Sequence, residues 1–300
     1  MKKWIEAARL RTLPLSVSGI IVGSSYAYFK GHDNWKIVVL ALLTTLFFQI
    51  LSNFANDYGD GVKGTDNEDR VGPKRAIQSG AISVSQMKKG IIITALLSLL
   101  SAVALIYVAF GKKDFGYSLL FFFLGIASIV AAIKYTVGKG AYGYSGFGDV
   151  FVFIFFGLVS VLGSNFLFTK QFDWLLLLPA ISIGLLSVAV LNLNNMRDIE
   201  NDKKSGKNTL VVKMGLESAK HYHNFLVFMP MPCMFTFFIL TKTSIVPVII
   251  VFFLLIRHMK VVNRAQTYKD FDPELKKVAL STFLLSLLFF IFLVLLKKYQ

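Results

Sequence analysis

Cysteine is almost missing from this chain: Cys233 is the only one in 300 residues. An intrachain disulfide and a thiolate-held metal cluster are therefore excluded. Histidine is nearly as rare. His32, His221, His223 and His258 show no metal-ligand spacing, and the 221/223 pair would point to different faces of a helix. Charge is scarce too, at 16% of residues where a soluble domain carries about 25%. Acids are the scarcer sign, 17 against 32 Lys and Arg, and the formal net charge is +15. So few acids in so apolar a chain make the position of each one informative.

What fills the space is lipid-compatible sequence. Hydrophobic residues make up 55% of the chain and the mean hydropathy is +0.63. Apolar runs recur at about 13–30, 36–56, 90–110, 116–135, 148–169, 174–195, 221–241, 244–257 and 276–296, most near the roughly 20 residues a helix needs to cross a bilayer. The pattern predicts an all-α integral membrane protein, nine transmembrane helices in one bundle, with residues 1–300 forming a single polytopic domain. About three-quarters of the 32 Lys and Arg fall on the side shared by the N-terminus and the even-to-odd loops. The positive-inside rule then predicts a cytoplasmic N-terminus and an external C-terminus. The basic balance is mostly topological, and no nucleic-acid partner is expected. Met1-Lys2-Lys3 before an apolar run resembles a secretory signal, but eight further runs favour an uncleaved first helix.

Two acid-rich stretches break the apolar pattern on the predicted cytoplasmic side. The first is Asn53-Phe54-Ala55-Asn56-Asp57-Tyr58-Gly59-Asp60, and the second runs from Asn194 through Arg197, Asp198 and Glu200 to Asp202. Residues four apart on a helix are separated by about 400° and 6 Å, so they share a face. Asn56/Asp60 have that spacing, as do Asn194/Asp198/Asp202. Asp57 lies about 100° from Asn56 and joins the same face only if the helix end unwinds. Oxygen ligands without Cys or His favour Mg²⁺, which takes one or two carboxylates plus substrate phosphate oxygens. Basic residues share these loops: Lys63, Arg70, Lys74 and Arg75 near the first stretch, Arg197, Lys203, Lys204 and Lys207 near the second. Of these, Lys63, Arg75, Lys203 and Lys207 are the expected diphosphate contacts. Spans 2 and 6 also echo each other, with Asp60 set against Asp198. Duplication of a four-helix unit and convergent site chemistry both explain the echo.

Asn56-Asp57-x-x-Asp60 with a later acid, followed by Arg75-x-x-x-Ser79-Gly80, resembles the first motif of the UbiA-type intramembrane aromatic prenyltransferases. Asp198-x-x-x-Asp202 with Gly206-Lys207-x-Thr209-Leu210 resembles their second. The family usually has an Asp four positions after Asp60; here Gly64 stands there and the next acid is Asp66. That displaced version resembles the branch acting on 1,4-dihydroxy-2-naphthoate in menaquinone biosynthesis. Arg9-x-Arg11-Thr12-Leu13-Pro14 and the stretch Tyr135-Thr136 to Gly148-Asp149 point the same way.

The resemblance implies a bundle around a lipid-accessible central cavity in the bacterial inner membrane, with its site facing the cytoplasm. It implies transfer of a polyprenyl chain from its diphosphate to the naphthoate, with loss of CO₂, and no obligate protein partner. Mg²⁺ would be held by Asn56, Asp57, Asp60, Asp66, Asn194, Asp198 and Asp202, with Asp60, Asp198 and Asp202 central to catalysis. The 135–149 loop is the place to look for acceptor contacts: Tyr135, Lys139, Tyr142 and Asp149, with Lys139 facing the carboxylate. A transporter is a competing reading, but transporters tend to place acids near the bilayer midplane. A CDP-alcohol phosphotransferase is another, but Asp60-Gly61-Val62-Lys63 does not continue in that enzyme's pattern. A third stays within the prenyltransferase family with a different acceptor, such as 4-hydroxybenzoate or a tetrapyrrole.

Overall fold

The computed structural model describes residues 1–299, and no strand occurs among them. A short helix α1 (Lys2–Ala7) leads into α2 (Leu13–Phe29), which Pro14 opens where its missing N–H has no helical partner. Next come α3 (Trp35–Val62), α4 (Val84–Phe110) and α5 (Phe115–Lys134). Asn34 caps α3 by accepting from the Lys36 amide, and Ser83 with Gln86 forms a reciprocal capping box on α4. The second half holds α6 (Gly148–Thr169), α7 (Leu177–Arg197), short helices α8 (Ile199–Lys204) and α9 (Leu210–Met214), α10 (Leu216–Leu240), α11 (Val246–Arg264) and α12 (Phe271–Tyr299).

Eight helices are long and apolar enough to cross a membrane, and α2, at 17 residues, is a shorter apolar one. These are the nine runs expected from the sequence, and the short eighth run gains length by extending α11 to Arg264. The apolar surface faces outward as well as inward. Only 6% of the α5 window is buried, and Leu100, Phe123 and Phe253 are each at least 60% exposed. A soluble protein does not leave such a belt in water. The chain is an integral membrane protein.

Helix α2 sits centrally against α3, α6 and α12; α3 packs on α4 and α5, while α7 packs on α6, α10 and α12. Between them lies one deep cavity. Part of its wall comes from Phe153–Gly163, a π-helical stretch of α6 whose wider turn sets Phe155, Phe156, Val159 and Ser160 along the cavity. Away from the cavity, two of the four histidines, His223 and His258, meet Glu274 across three helices. His223 Nε2 lies 2.7 Å from His258 Nε2, and His258 Nδ1 lies 2.6 Å from Glu274 Oε2. All three are buried, so this chain of hydrogen bonds ties α10, α11 and α12 together where unpaired polar groups would be costly.

Candidate functional site

The cavity has a volume of about 380 Å³ and two unlike ends. One is apolar, lined by Leu15, Ile20, Ala41, Leu105, Phe121 and Leu167. The other gathers Asn56, Asp60, Asp66, Asn194, Asp198 and Asp202 with Arg9, Arg70, Arg75 and Lys207. Both acid-rich stretches reach one wall, from opposite halves of the chain.

The same local device builds each half. Helix α3 ends at Val62; the Gly64 amide then bonds the Gly61 carbonyl and the Thr65 amide bonds Asp60, with Gly64 at φ +73°. Helix α8 ends likewise: the Gly206 amide bonds Lys203 and the Lys207 amide bonds Asp202, with Gly206 at φ +69°. This is a Schellman closure, and its left-handed residue is favourable only for glycine. It matches Asp60 to Asp202, each four residues before its glycine, so the register of the internal echo runs through Asp202 and not Asp198.

The glycine turns also explain the displaced acid. Gly64 reverses the chain, and Asp66 comes back onto the cavity wall, where its Oδ1 pairs with Arg70 Nε at 3.1 Å and faces Arg75 Nε at 3.9 Å. From the second half, Lys207 Nζ lies 3.3 Å from Asp60 Oδ2 and 3.8 Å from Asp202 Oδ1. Asn201 Nδ2 donates to the Thr65 carbonyl at 2.8 Å. The two halves are thus cross-linked, each turn reaching the other's acid or backbone.

Charge at this end is nearly balanced yet strained by burial. Burial raises the Asp202 carboxyl to about 7, with Asp198 and Asp60 adding to the shift against the pull of Lys207. Burial also raises Asp66, against Arg75 and Arg70. Asp198 goes the other way: burial alone would raise it, but two bonds from Arg197, at 3.0 and 2.6 Å, and nearby Arg70 hold it low. Lys207 is held above its ordinary value because Asp60 and Asp202 outweigh its burial.

One oxygen on each of Asp66 and Asp202 is buried with no hydrogen-bond partner, as is the Asn201 carbonyl oxygen. Such orphaned hard donors in a polar wall suit a divalent cation. Among the described residues no three His, Cys, Asp or Glu side chains converge as a ready-made cage. Mg²⁺ does not need one, because substrate oxygens complete its shell.

Five expected site residues sit elsewhere. Helix α3 does not unwind, so Asp57 points away from the cavity and accepts from the Ala76 and Ile77 amides at 3.0 and 3.2 Å. It anchors the loop after α3. Lys63 is exposed, its ammonium 3.8 Å from the Tyr144 ring centroid. Lys203 and Lys139 are exposed on loop and helix surfaces outside the wall. Asp149 is buried but behind the wall, where Tyr222 donates to it at 3.4 Å. Arg197 is committed to Asp198, Asn194 and Asp272. Tyr135 and Tyr142 do line the cavity.

Two residues gain a place that spacing alone did not assign. Tyr144 donates to Asp60 Oδ1 at 2.7 Å and shares a 2.6 Å bond with Thr65. Arg9, in the Arg9-x-Arg11 signature, reaches Asn56 from 47 positions away, Nη2 to Oδ1 2.8 Å. Its backbone is left-handed at φ +51°, a conformation that strains a non-glycine residue by about 1–3 kcal/mol.

With this geometry in view, the relatives fall into place. The family model described as the UbiA prenyltransferase family matches residues 16–288, and the chain belongs to that family. It is 43% identical to the 1,4-dihydroxy-2-naphthoate octaprenyltransferase of Haemophilus influenzae, over 96% of this chain and 94% of the other. The protein of the same description from Escherichia coli is 42% identical, covering 95% and 93%. Among solved structures, a UbiA homolog from Archaeoglobus fulgidus bound to DMAPP and Mg²⁺ superposes with a TM-score of 0.69 at 16% identity, covering 99% and 100%. At that identity the likeness is one of fold.

Proposed function

We propose that the protein transfers a polyprenyl chain from polyprenyl diphosphate to 1,4-dihydroxy-2-naphthoate, with release of diphosphate and CO₂, in menaquinone biosynthesis. The observation that carries this is the two-ended cavity: an acid-and-base belt closed by paired glycine turns, opening onto an apolar chamber between helices. The 42–43% identity to naphthoate prenyltransferases along nearly the whole chain supports the choice of acceptor.

In this reading Asn56, Asp60 and Asp66 would hold Mg²⁺ from the first half, and Asn194, Asp198 and Asp202 from the second. The ion would supply positive charge to offset that of the departing diphosphate. Lys207, Arg75 and Arg70 bind the diphosphate oxygens, and Tyr144 fixes the Asp60 carboxylate. The bond from the allylic carbon to the diphosphate oxygen breaks with its electrons leaving on the diphosphate. The carboxylate-bearing ring carbon attacks the allylic carbon; the bond to the carboxylate then breaks, its electrons return to the ring, and CO₂ leaves. Tyr135 and Tyr142 line the cavity, where an aromatic ring would stabilise an allylic cation. Shielded by the bundle, that cation meets the ring before water. We also infer nine crossings, a cytoplasmic N-terminus and a cytoplasm-facing site in the bacterial inner membrane, from the charge bias of the loops.

The test is an assay of membranes containing the protein with Mg²⁺, a labelled polyprenyl diphosphate, and either dihydroxynaphthoate or 4-hydroxybenzoate. Prenylated naphthoate with Mg²⁺-dependent diphosphate release is expected. Transfer to the benzoate alone would overturn the acceptor, and no diphosphate release with either would overturn the enzyme.

A further inference from the structure

Nearly every cation at the polar end is already matched to an acid. Arg70 lies against Asp66 and Asp198, Lys207 against Asp60 and Asp202, and Arg197 against Asp198 and Asp272; Arg75 faces Asp66 at 3.9 Å, its buried Nε making no hydrogen bond. Arg9 is the exception. Its guanidinium lines the cavity, and among the described residues no carboxylate pairs with it. One donor goes to the neutral Asn56 carbonyl. The planar fork has five; Asp57, Asp66 and Asp60 lie near enough to act on its charge, but none is within ion-pairing distance, which leaves donors for an anion in the cavity.

The surroundings say which kind of anion. Asn56 is one turn from Asp60 toward the middle of α3, and the next turns bring Asn53, Ser52 and Gln49 onto the wall. Gln49 Nε2 lies 3.4 Å from both Thr12 Oγ1 and Asn53 Oδ1, and Asn53 Nδ2 donates to the Ala8 carbonyl at 2.8 Å. This collar of amides and hydroxyls contains no acid. It separates the acid-and-base belt from the apolar chamber. A metal diphosphate matches the belt, whereas a neutral collar with one unpaired cation matches a smaller, singly charged anion that also carries hydroxyls.

We propose that Arg9 binds the carboxylate of the aromatic acceptor, with Thr12 and Gln49 contacting its ring hydroxyls. This deepens the prenyltransferase reading above and rests on it. It moves the carboxylate-binding cation from the exposed Lys139 to the turn before α2. The left-handed backbone of Arg9 belongs to that turn, which directs the side chain inward to Asn56. The acceptor's ring then lies at the border between the departing diphosphate and the apolar tail, where the new carbon–carbon bond forms.

The experiment compares wild type, Arg9→Gln and Arg9→Lys in initial rates, varying donor and acceptor separately. The acceptors are dihydroxynaphthoate and 1,4-naphthalenediol, which lacks the carboxylate. Loss of one charge-assisted contact predicts an acceptor KM raised about tenfold to a hundredfold in Arg9→Gln. The donor KM should stay within about twofold, and the preference for the acid over the diol should vanish. Arg9→Lys should recover part of that preference. A raised donor KM with an unchanged acceptor KM would place Arg9 on the diphosphate and overturn the inference; so would no change in either. Should Arg9→Gln not fold, as judged by its thermal midpoint, the same comparison is read from Arg9→Lys. If wild type prenylates 4-hydroxybenzoate and not the naphthoate, the acceptor identity falls, and the Arg9→Gln comparison on the benzoate decides the Arg9 inference by itself.

Discussion

A carboxylate in this protein is defined by what neutralises it. Asp60 and Asp198 are each held by fixed cationic neighbours, while Asp66 and Asp202 keep a buried oxygen with no partner. Substituting Asp60→Ala or Asp198→Ala should lower prenyl transfer at least about a hundredfold while the protein still inserts and purifies as a folded species. Near-normal rates in both would show that these acids only cap helices. Asp202→Asn should separate stability from activity. Because burial raises the folded carboxyl to about 7, above its unfolded value, ionised Asp202 opposes folding when no cation is bound. The metal-free variant should therefore melt a few degrees higher than wild type at pH 8. That advantage should shrink as pH falls through 7 toward 4, where both states of the wild type are protonated. Scanning calorimetry in chelator checks this, and a lower midpoint for Asp202→Asn at pH 8 would count against it. Spacing alone made Asp57 doubtful, since it lies about 100° from Asn56. The structure gives the reason for its presence: its carboxylate accepts two backbone amides of the following loop.

At the scale of elements, the site is made by two helix ends that stop in the same way. Gly64 and Gly206 close α3 and α8 and return Asp66 and Lys207 to the cavity. An alanine at either glycine would be strained by about 1–2 kcal/mol, and relief of that strain would swing the returning residue off the wall. Gly64→Ala and Gly206→Ala should each lower turnover about tenfold or more by misplacing charge. Gly31 also has a positive φ, with open space around it and no part in the site, so Gly31→Ala should lose stability without losing activity. Equal losses of activity at all three positions would contradict the role assigned to the two turns. Both glycines were visible in the sequence, Gly64 in place of the usual Asp and Gly206 within the second motif. That both turns carry the same hydrogen-bond pattern, and so match Asp60 to Asp202, depends on where α3 and α8 end, which apolar periodicity does not specify.

At the scale of the molecule, the nine crossings proposed above would place the termini on opposite faces of the membrane. A C-terminal fusion to a phosphatase active only outside the cytoplasm should be active, and one placed after Gly80 inactive; equal activity would overturn the topology. Positions of the apolar runs, their lengths and the loop charge were readable directly, because a bilayer imposes length and sign on every crossing segment. The i, i+4 acids were readable because helical geometry fixes their common face. The sequence by itself determined an integral membrane bundle with two acid-bearing helix ends, since those follow from local periodicity and composition. Only the tertiary structure decided which cations enter the cavity. Lys63, Lys139 and Lys203 stay on the surface, while Arg9 and Lys207 reach inward from distant parts of the chain. Loop lysines look alike in sequence, and which of them becomes buried depends on how α2, α3 and α7 converge around one wall.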